Sequence, residues 1–265
     1  MPPLSLQILS DTHLEARGGG SNDGIKEIEM SPYADVLALL GDIGSPLQPS
    51  FCKFIDKCAN EFKRVFFVHG NHELYNQYGI AVDEMVSRIQ EVCDKYPNVS
   101  YLNNQVEVYE GVCFIGSTLW SHVPQQHKSQ VTRAIRDYRN IYKTPCNVIT
   151  VDDTNAEYVK NKTFLESSIG QARSQGYWPV ILTHHAPWLD GTIDPRYKRG
   201  PLTSAFATDL ASSSSHIQLW AAGHTHYNFD TYAPGYRLIS NQHGEGRPIS
   251  GYQPKQCILL NETSN

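Results

Sequence analysis

The sequence lacks any surplus of basic residues. Against 27 Asp and Glu it sets 22 Lys and Arg, a formal net charge of -5, which argues against non-specific nucleic-acid binding as the main activity. No apolar run approaches the length of a membrane span, so no membrane partner is expected. A basic leader is missing too: Met1-Pro2-Pro3 runs directly into a candidate strand, so no signal peptide is expected and the location reads as cytoplasmic. The six cysteines, at 52, 58, 93, 113, 146 and 257, never form a Cys-x-x-Cys pair. That favours reduced core thiols over a disulfide framework or a zinc knuckle. Three glycosylation sequons begin at Asn98, Asn161 and Asn261; without a leader they read as chance matches. Neither a linker nor a repeat interrupts the chain, so residues 1–265 are expected to form one domain. Hydrophobic residues reach 40% and charged ones only 18%, a globular balance with material for a sizeable core.

What is present is an alternation of short apolar runs and helical patterns. Leu4 to Leu9, Ala34 to Leu40 and Val65 to Val68 read as strands. Between and after them, Pro49 to Phe62 and the segment carrying Val82, Met85, Val86, Ile89 and Val92-Cys93 read as helices. A Gly-rich loop, with Gly18-Gly19-Gly20 and Asp23-Gly24, follows the first strand. The alternation implies right-handed crossovers and a largely parallel sheet for the first hundred residues. Further on, Val106 to Tyr109 and Val112 to Ile115 form a hairpin pattern turning at Glu110-Gly111. A polar insert at about 121–152 comes next. Within it Val131, Ile135, Tyr138 and Tyr142 fall on one helical stripe, with Arg136, Arg139 and Lys143 along a flank. Thr154-Asn155-Ala156-Glu157 matches a capping box opening a helix to about Gln175. Pro179 to Thr183 and Ile217 to Ala222 read as strands, Thr203 to Leu210 as a helix, and Ser212 to Ser215 as a turn. Phe229, Tyr232, Tyr236, Leu238-Ile239 and the run from Cys257 to Leu260 read as antiparallel strands.

Five strand ends finish in potential ligands: Asp11 with His13, Asp42, Asn71 with His72, His184 with His185, and His224 with His226. Taken singly, each is ordinary; their order, each after its own apolar strand, is what points to one site at a sheet edge. Carboxylate, amide and imidazole without thiolate suit Mn, Fe or Zn better than a structural zinc or a calcium cage. Residues two apart on a strand share a face, which lets Asp11/His13 and His224/His226 reach one centre. Asp42 has two oxygens and can bridge two ions, and two ions about 3.5–4 Å apart would clamp a phosphoryl oxygen beside a bridging hydroxide for in-line attack.

The ordered set Asp11-x-His13, Gly41-Asp42, Gly70-Asn71-His72-Glu73, Thr183-His184-His185 and Gly223-His224-x-His226 resembles the calcineurin-like metallophosphoesterase superfamily, across about Leu4 to Ile239. The resemblance implies an α/β fold, a two-sheet mixed β-sandwich flanked by helices. It implies that Asp11, His13, Asp42 and His226 hold one metal and Asp42, Asn71, His184 and His224 the other. His72 would be the imidazole that orients phosphate and protonates the leaving oxygen, with Asp11 as its partner. Of the adjacent histidines, His184 directly follows the strand and is taken as the ligand, leaving His185 outside it. The expected activity is a dinuclear metal-dependent phosphoric ester hydrolase acting on small phosphomonoesters, phosphodiesters or both; the competing readings are a metal-dependent nuclease and a degenerate fold serving as an interaction scaffold. The similarity is to the small phosphoesterase branch. The protein Ser/Thr phosphatases carry an arginine after Gly-Asp, and here Gly41-Asp42 is followed by Ile43-Gly44, so phosphopeptides are expected to be poor substrates. Asn241-Gln242-His243-Gly244-Glu245 likewise departs from the Asn-Pro-Arg-Gly-Tyr-like turn of relatives. Substrate contacts are expected from the insert, from Arg139 first and Arg136 beside it, and from His185. Oligomeric state is not set by the sequence.

Overall fold

The computed structural model describes residues 3–16, 25, 28, 30–197, 200–210, 217–233 and 235–260. The Gly-rich loop around Gly18 to Gly24 and the Ser212 to Ser215 turn lie outside the described residues. Four parallel strands, β1 (Leu4–Leu9), β2 (Val36–Leu40), β3 (Arg64–Val68) and β4 (Val99–Tyr101), form the first sheet. On the outer edge of β1 lies β13 (Ile258–Leu260), antiparallel, with Leu4 opposite Leu260. In the second sheet the order is β11 (Asp230–Ala233), β12 (Tyr236–Ile239), β10 (Leu219–Ala221), β9 (Val180–Thr183), β6 (Val112–Ser117) and β5 (Gln105–Tyr109). The expected β5–β6 hairpin is present, with Tyr109 opposite Val112. The tail is only partly antiparallel: β11 and β13 are, whereas β12 runs parallel to β10.

Period-two alternation distributes each strand between two cores. Leu6, Ile8, Val36, Ala38, Leu40, Phe66 and Val68 face inward and meet Phe114, Val180, Leu182, Leu219 and Ala221 of the second sheet. Phe66 stacks on Phe114 at 4.3 Å between centroids. On the opposite face, Leu37, Leu39 and Phe67 pack beneath α1 (Pro49–Glu61) and α2 (Val82–Cys93). The outer face of the second sheet, with Ile115, Ile181, Trp220 and Leu238, packs on Leu165, Ile169 and Ala172 of α5 (Val151–Ser174). The result is a two-sheet mixed sandwich with helices outside.

Three local expectations are corrected. The box that opens α5 is Thr150 with Asp153, each side chain answering the other's backbone N–H; Thr154 turns inward to the Val151 carbonyl and the Tyr138 hydroxyl. The insert's single helix is two, α3 (Lys128–Ala134) and α4 (Asp137–Asn140), separated by an extended Ile135 at φ -85, ψ 135. A β-hairpin, β7 (Tyr142–Thr144) with β8 (Asn147–Val148), completes the insert. Finally, helix around Thr203 is confined to a 3-10 turn, Pro201–Ala205, because Ala207 leaves it to bridge Ala186. All six cysteines are free; Cys58, Cys93 and Cys113 are buried, while Cys146 and Cys257 are exposed. Among the described residues no helix is long and apolar enough to cross a membrane.

Candidate metal centre

The backbone does something unusual where the strands end. Asp11, His13, Asp42, His224 and His226 all hold positive φ, between 46° and 67°. This left-handed region costs an L-residue about 1–2 kcal/mol, and Asp, Asn and His tolerate it best. β1 stops at Leu9 and β10 at Ala221, so strand pleating does not aim Asp11/His13 and His224/His226. Consecutive left-handed turns do. Two glycines let these turns close up. A Cβ on Gly41 (φ 84) would lie 2.5 Å from Gly70 N and from His184 Nδ1, and one on Gly223 would lie 2.7 Å from an Asp11 oxygen.

Glu73 locks two of the turns together. Its fully buried carboxylate accepts the backbone N–H groups of Asp42 (2.9 Å), Ile43 (2.6 Å), Gly44 (3.2 Å) and Gly70 (2.7 Å). The turn at 241–244 supports the other pair. Gly244 N–H donates to the Asp11 carbonyl at 2.8 Å, and His226 N–H donates to Gln242 Oε1 at 2.6 Å. Neither role was anticipated from sequence.

All seven expected donors converge, in two groups that share Asp42. In the first, His184 Nδ1 donates to the Leu40 carbonyl at 2.8 Å, which turns Nε2 inward. It meets Asn71 Oδ1 at 3.1 Å, His224 Nδ1 at 3.1 Å and Asp42 Oδ1 at 3.5 Å. His224 gives its other nitrogen to the Ala205 carbonyl at 3.3 Å. In the second group, His226 Nε2 lies 3.1 Å from His13 Nε2 and 3.5 Å from Asp11 Oδ1, and His13 Nε2 lies 3.9 Å from Asp42 Oδ2. Acceptors packed this closely repel unless a cation or a proton sits among them. Burial works against charge on both His184 and Asp42, yet their mutual attraction outweighs it: His184 is pushed up to about 9 and Asp42 held well below its usual value. Burial and the neighbouring His184 press His224 down to about 3, leaving a neutral ring with a free lone pair. Carboxylate, amide oxygen and imidazole, fixed by outer hydrogen bonds at Asp11, His13, Asp42, Asn71, His184 and His224, fit transition-metal ions.

His72 stands beside this set. Its Nδ1 bonds Glu15 Oε1 at 2.9 Å, and its ring stacks on Tyr75 at 4.2 Å. The carboxylate against His72 is therefore Glu15, in the place expected for Asp11: the turn at Asp11 directs that side chain to the His224 N–H (3.1 Å), while the 3-10 turn Leu14–Ala16 carries Glu15 to His72 and to His13 (3.2 Å). Burial opposes the His72 charge, but Asp42 and Glu15 prevail and push it up to about 9. Asp137 is buried and accepts from Asn71 Nδ2 at 2.8 Å and from the Tyr75 hydroxyl at 2.5 Å. It ties the insert to the centre and turns the Asn71 carbonyl oxygen inward. His185 lies behind the centre, stacked on His224 at 3.9 Å, with Nδ1 against Ser121 Oγ at 2.8 Å and Nε2 without a hydrogen bond. Arg136 lines the cavity over the site, whereas Arg139 donates to the Arg133 carbonyl at 2.9 Å. That cavity, of about 460 Å³, has Asp42, Asn71, His72, His224 and His226 as its floor.

The calcineurin-like phosphoesterase family model matches residues 5–228. An uncharacterized protein of Acanthamoeba polyphaga mimivirus is 32% identical over 275 residues, a match covering 97% of each chain. The crystal structure of phosphopantetheinyl hydrolase from Mycobacterium tuberculosis superposes with a TM-score of 0.66 at 16% identity, over 92% of this chain and 90% of its own. At that identity the likeness is one of fold.

Proposed function

Since this chain belongs to the calcineurin-like phosphoesterase family, a family of metal-dependent hydrolases, we propose that it hydrolyses small phosphomonoesters or phosphodiesters at a centre of two transition-metal ions. Asp11, His13, Asp42 and His226 hold one ion, and Asp42, Asn71, His184 and His224 the other. The donor set suits Mn, Fe or Zn. The observation that carries this reading is the division of one carboxylate: Asp42 Oδ1 faces His184 and Oδ2 faces His13. When bound, such ions neutralise the phosphate and lower the pKa of the attacking water.

The chain's own residues do the rest. His72 gives Nδ1 to Glu15, so Nε2 is the atom that carries a proton to the leaving oxygen. Tyr75 stacked on the ring and Glu15 beneath it hold that orientation. Asp137 keeps Asn71 from flipping its amide, and Arg136 at the rim offers a guanidinium to phosphate charge that the ions leave unmet. A scaffold descended from such a fold would be free to lose donors, and the convergence of all seven side chains supports the enzyme reading over it.

The test is to strip the protein with chelator and titrate it with Mn²⁺, Zn²⁺ or Fe²⁺, following p-nitrophenyl phosphate and bis(p-nitrophenyl) phosphate hydrolysis against ions bound. Activity should be absent when stripped and saturate at two ions per chain. Full activity in the stripped protein, or saturation at one ion, overturns the proposal.

A further inference from the structure

Above its polar floor the cavity changes character. Ile193, Tyr197, Leu202 and Phe206 make one wall, and Ala134 and Ile135 of the insert face it. Beyond the floor, the ionisable lining residues among the described residues are Tyr75 and Tyr197, Arg136, which is exposed, and Asp137, which is buried and already bonded to Asn71 and Tyr75. The 200–208 stretch of the wall is braced. Thr203 Oγ1 donates to the Gly200 carbonyl at 2.6 Å, the Thr208 N–H reaches the Ala186 carbonyl just after β9, and Phe206 stacks on His224 at 5.0 Å. Yet Tyr197 is 69% exposed and Leu202 40%. Large apolar groups held in water on the lining of a cavity that also holds a polar centre mark a binding wall.

Resting on the phosphoesterase reading above, we propose that the substrate is an amphiphilic phosphoester. Its phosphate lies on the floor, and an uncharged apolar group, aliphatic or aromatic, lies along Ile193, Tyr197, Leu202 and Phe206. A sugar or polyol in that position would turn its hydroxyls toward Ile193, Leu202 and Phe206, which, among the described residues of that wall, offer no side-chain partner. The apolar contact is made equally in the bound and transition states, so it appears in KM and hence in kcat/KM.

The experiment uses the metal-loaded full chain and a phosphate-release assay on ethyl, butyl, hexyl and phenyl phosphate, with glycerol phosphate and glucose 6-phosphate as polar comparators. Along the alkyl series kcat/KM should rise about two- to fourfold per methylene, the range from half to full burial, and the rise should lie in KM. Phenyl phosphate should exceed ethyl phosphate, and the polar esters should not. In the double variant Tyr197→Ser/Leu202→Ser the hexyl-to-ethyl ratio should fall at least tenfold; both positions are exposed, and the melting temperature controls for folding. A flat alkyl series, or a polyol ester matching hexyl phosphate, overturns the inference while leaving the phosphoesterase reading intact. Hydrolysis of none of these monoesters overturns this inference, and if bis(p-nitrophenyl) phosphate is also untouched the phosphoesterase reading falls with it.

Discussion

His72 and Glu73 are neighbours with separable duties. His72→Ala should cut turnover about 10²–10⁴-fold, the usual contribution of a general acid, while the protein keeps two bound ions. The loss should shrink for nitrophenyl esters, whose leaving group needs no proton; a drop in metal content would show that His72 is a ligand instead. Glu15→Gln should cost less than His72→Ala, since the amide still accepts from Nδ1 without supplying charge. Glu73→Ala should act on folding, because it strips four backbone N–H groups of their acceptor. At about 1–3 kcal/mol for each buried donor left unpaired, the loss should exceed about 3 kcal/mol in urea denaturation even with partial relaxation. An unchanged midpoint would mean that solvent replaces the carboxylate. The donors were legible in the sequence because each follows an apolar strand at a break in the pattern. Glu15 follows no strand, and the partners of Glu73 are backbone groups, which no side-chain pattern announces. The left-handed φ values were equally hidden, since Asp and His reach that region without a glycine to mark it.

At the scale of the element, the insert shows where periodicity is overruled. Val131, Ile135, Tyr138 and Tyr142 satisfy one helical stripe, but Asp137 must reach Asn71 and Tyr75 in the interior. The chain leaves the helix at Ile135 to deliver it. Both halves still bury their apolar residues, Val131 and Tyr138 among them, so the composition was readable and the break was not. The same applies to α5, where two Thr-x-x-acid matches follow one another and the one starting before Val151 is used. The break also separates two arginines expected to act together. Arg136 is at the cavity and Arg139 caps the end of α3 through the Arg133 carbonyl. Hydrogen bonds to charged groups contribute about 1.5–3 kcal/mol, so Arg136→Ala should lower kcat/KM at least about tenfold on anionic substrates. Arg139→Ala should instead lower the melting temperature slightly and leave the kinetics alone. The reverse pattern would restore Arg139 as the phosphate contact.

Across the whole molecule, the donors come from both sheets: β1, β2 and β3 lead to Asp11, His13, Asp42 and Asn71, and β9 and β10 to His184, His224 and His226. Ions held there would join the two sheets, so binding should stabilise the fold. At a hundredfold excess over Kd, each site contributes about 2.7 kcal/mol, or roughly 5–10 °C for a chain of this size. A thermal melt of stripped protein with and without Mn²⁺ measures it, and no shift would argue against a centre spanning the sheets. The two-sheet architecture was available to the sequence only through family resemblance, because strand runs give direction and burial but not which sheet each joins. One contact has a consequence for synthesis. β1 is made first, yet its outer edge is covered by β13, about 250 residues later, and the Asp11 carbonyl waits for Gly244. At about 5–20 residues per second, the leading strand spends tens of seconds as an open edge on the nascent chain. The turn at Asp11 can therefore set only after Gly244 and β13 have been made, and the growing chain depends on its cellular attendants to keep that edge from pairing elsewhere.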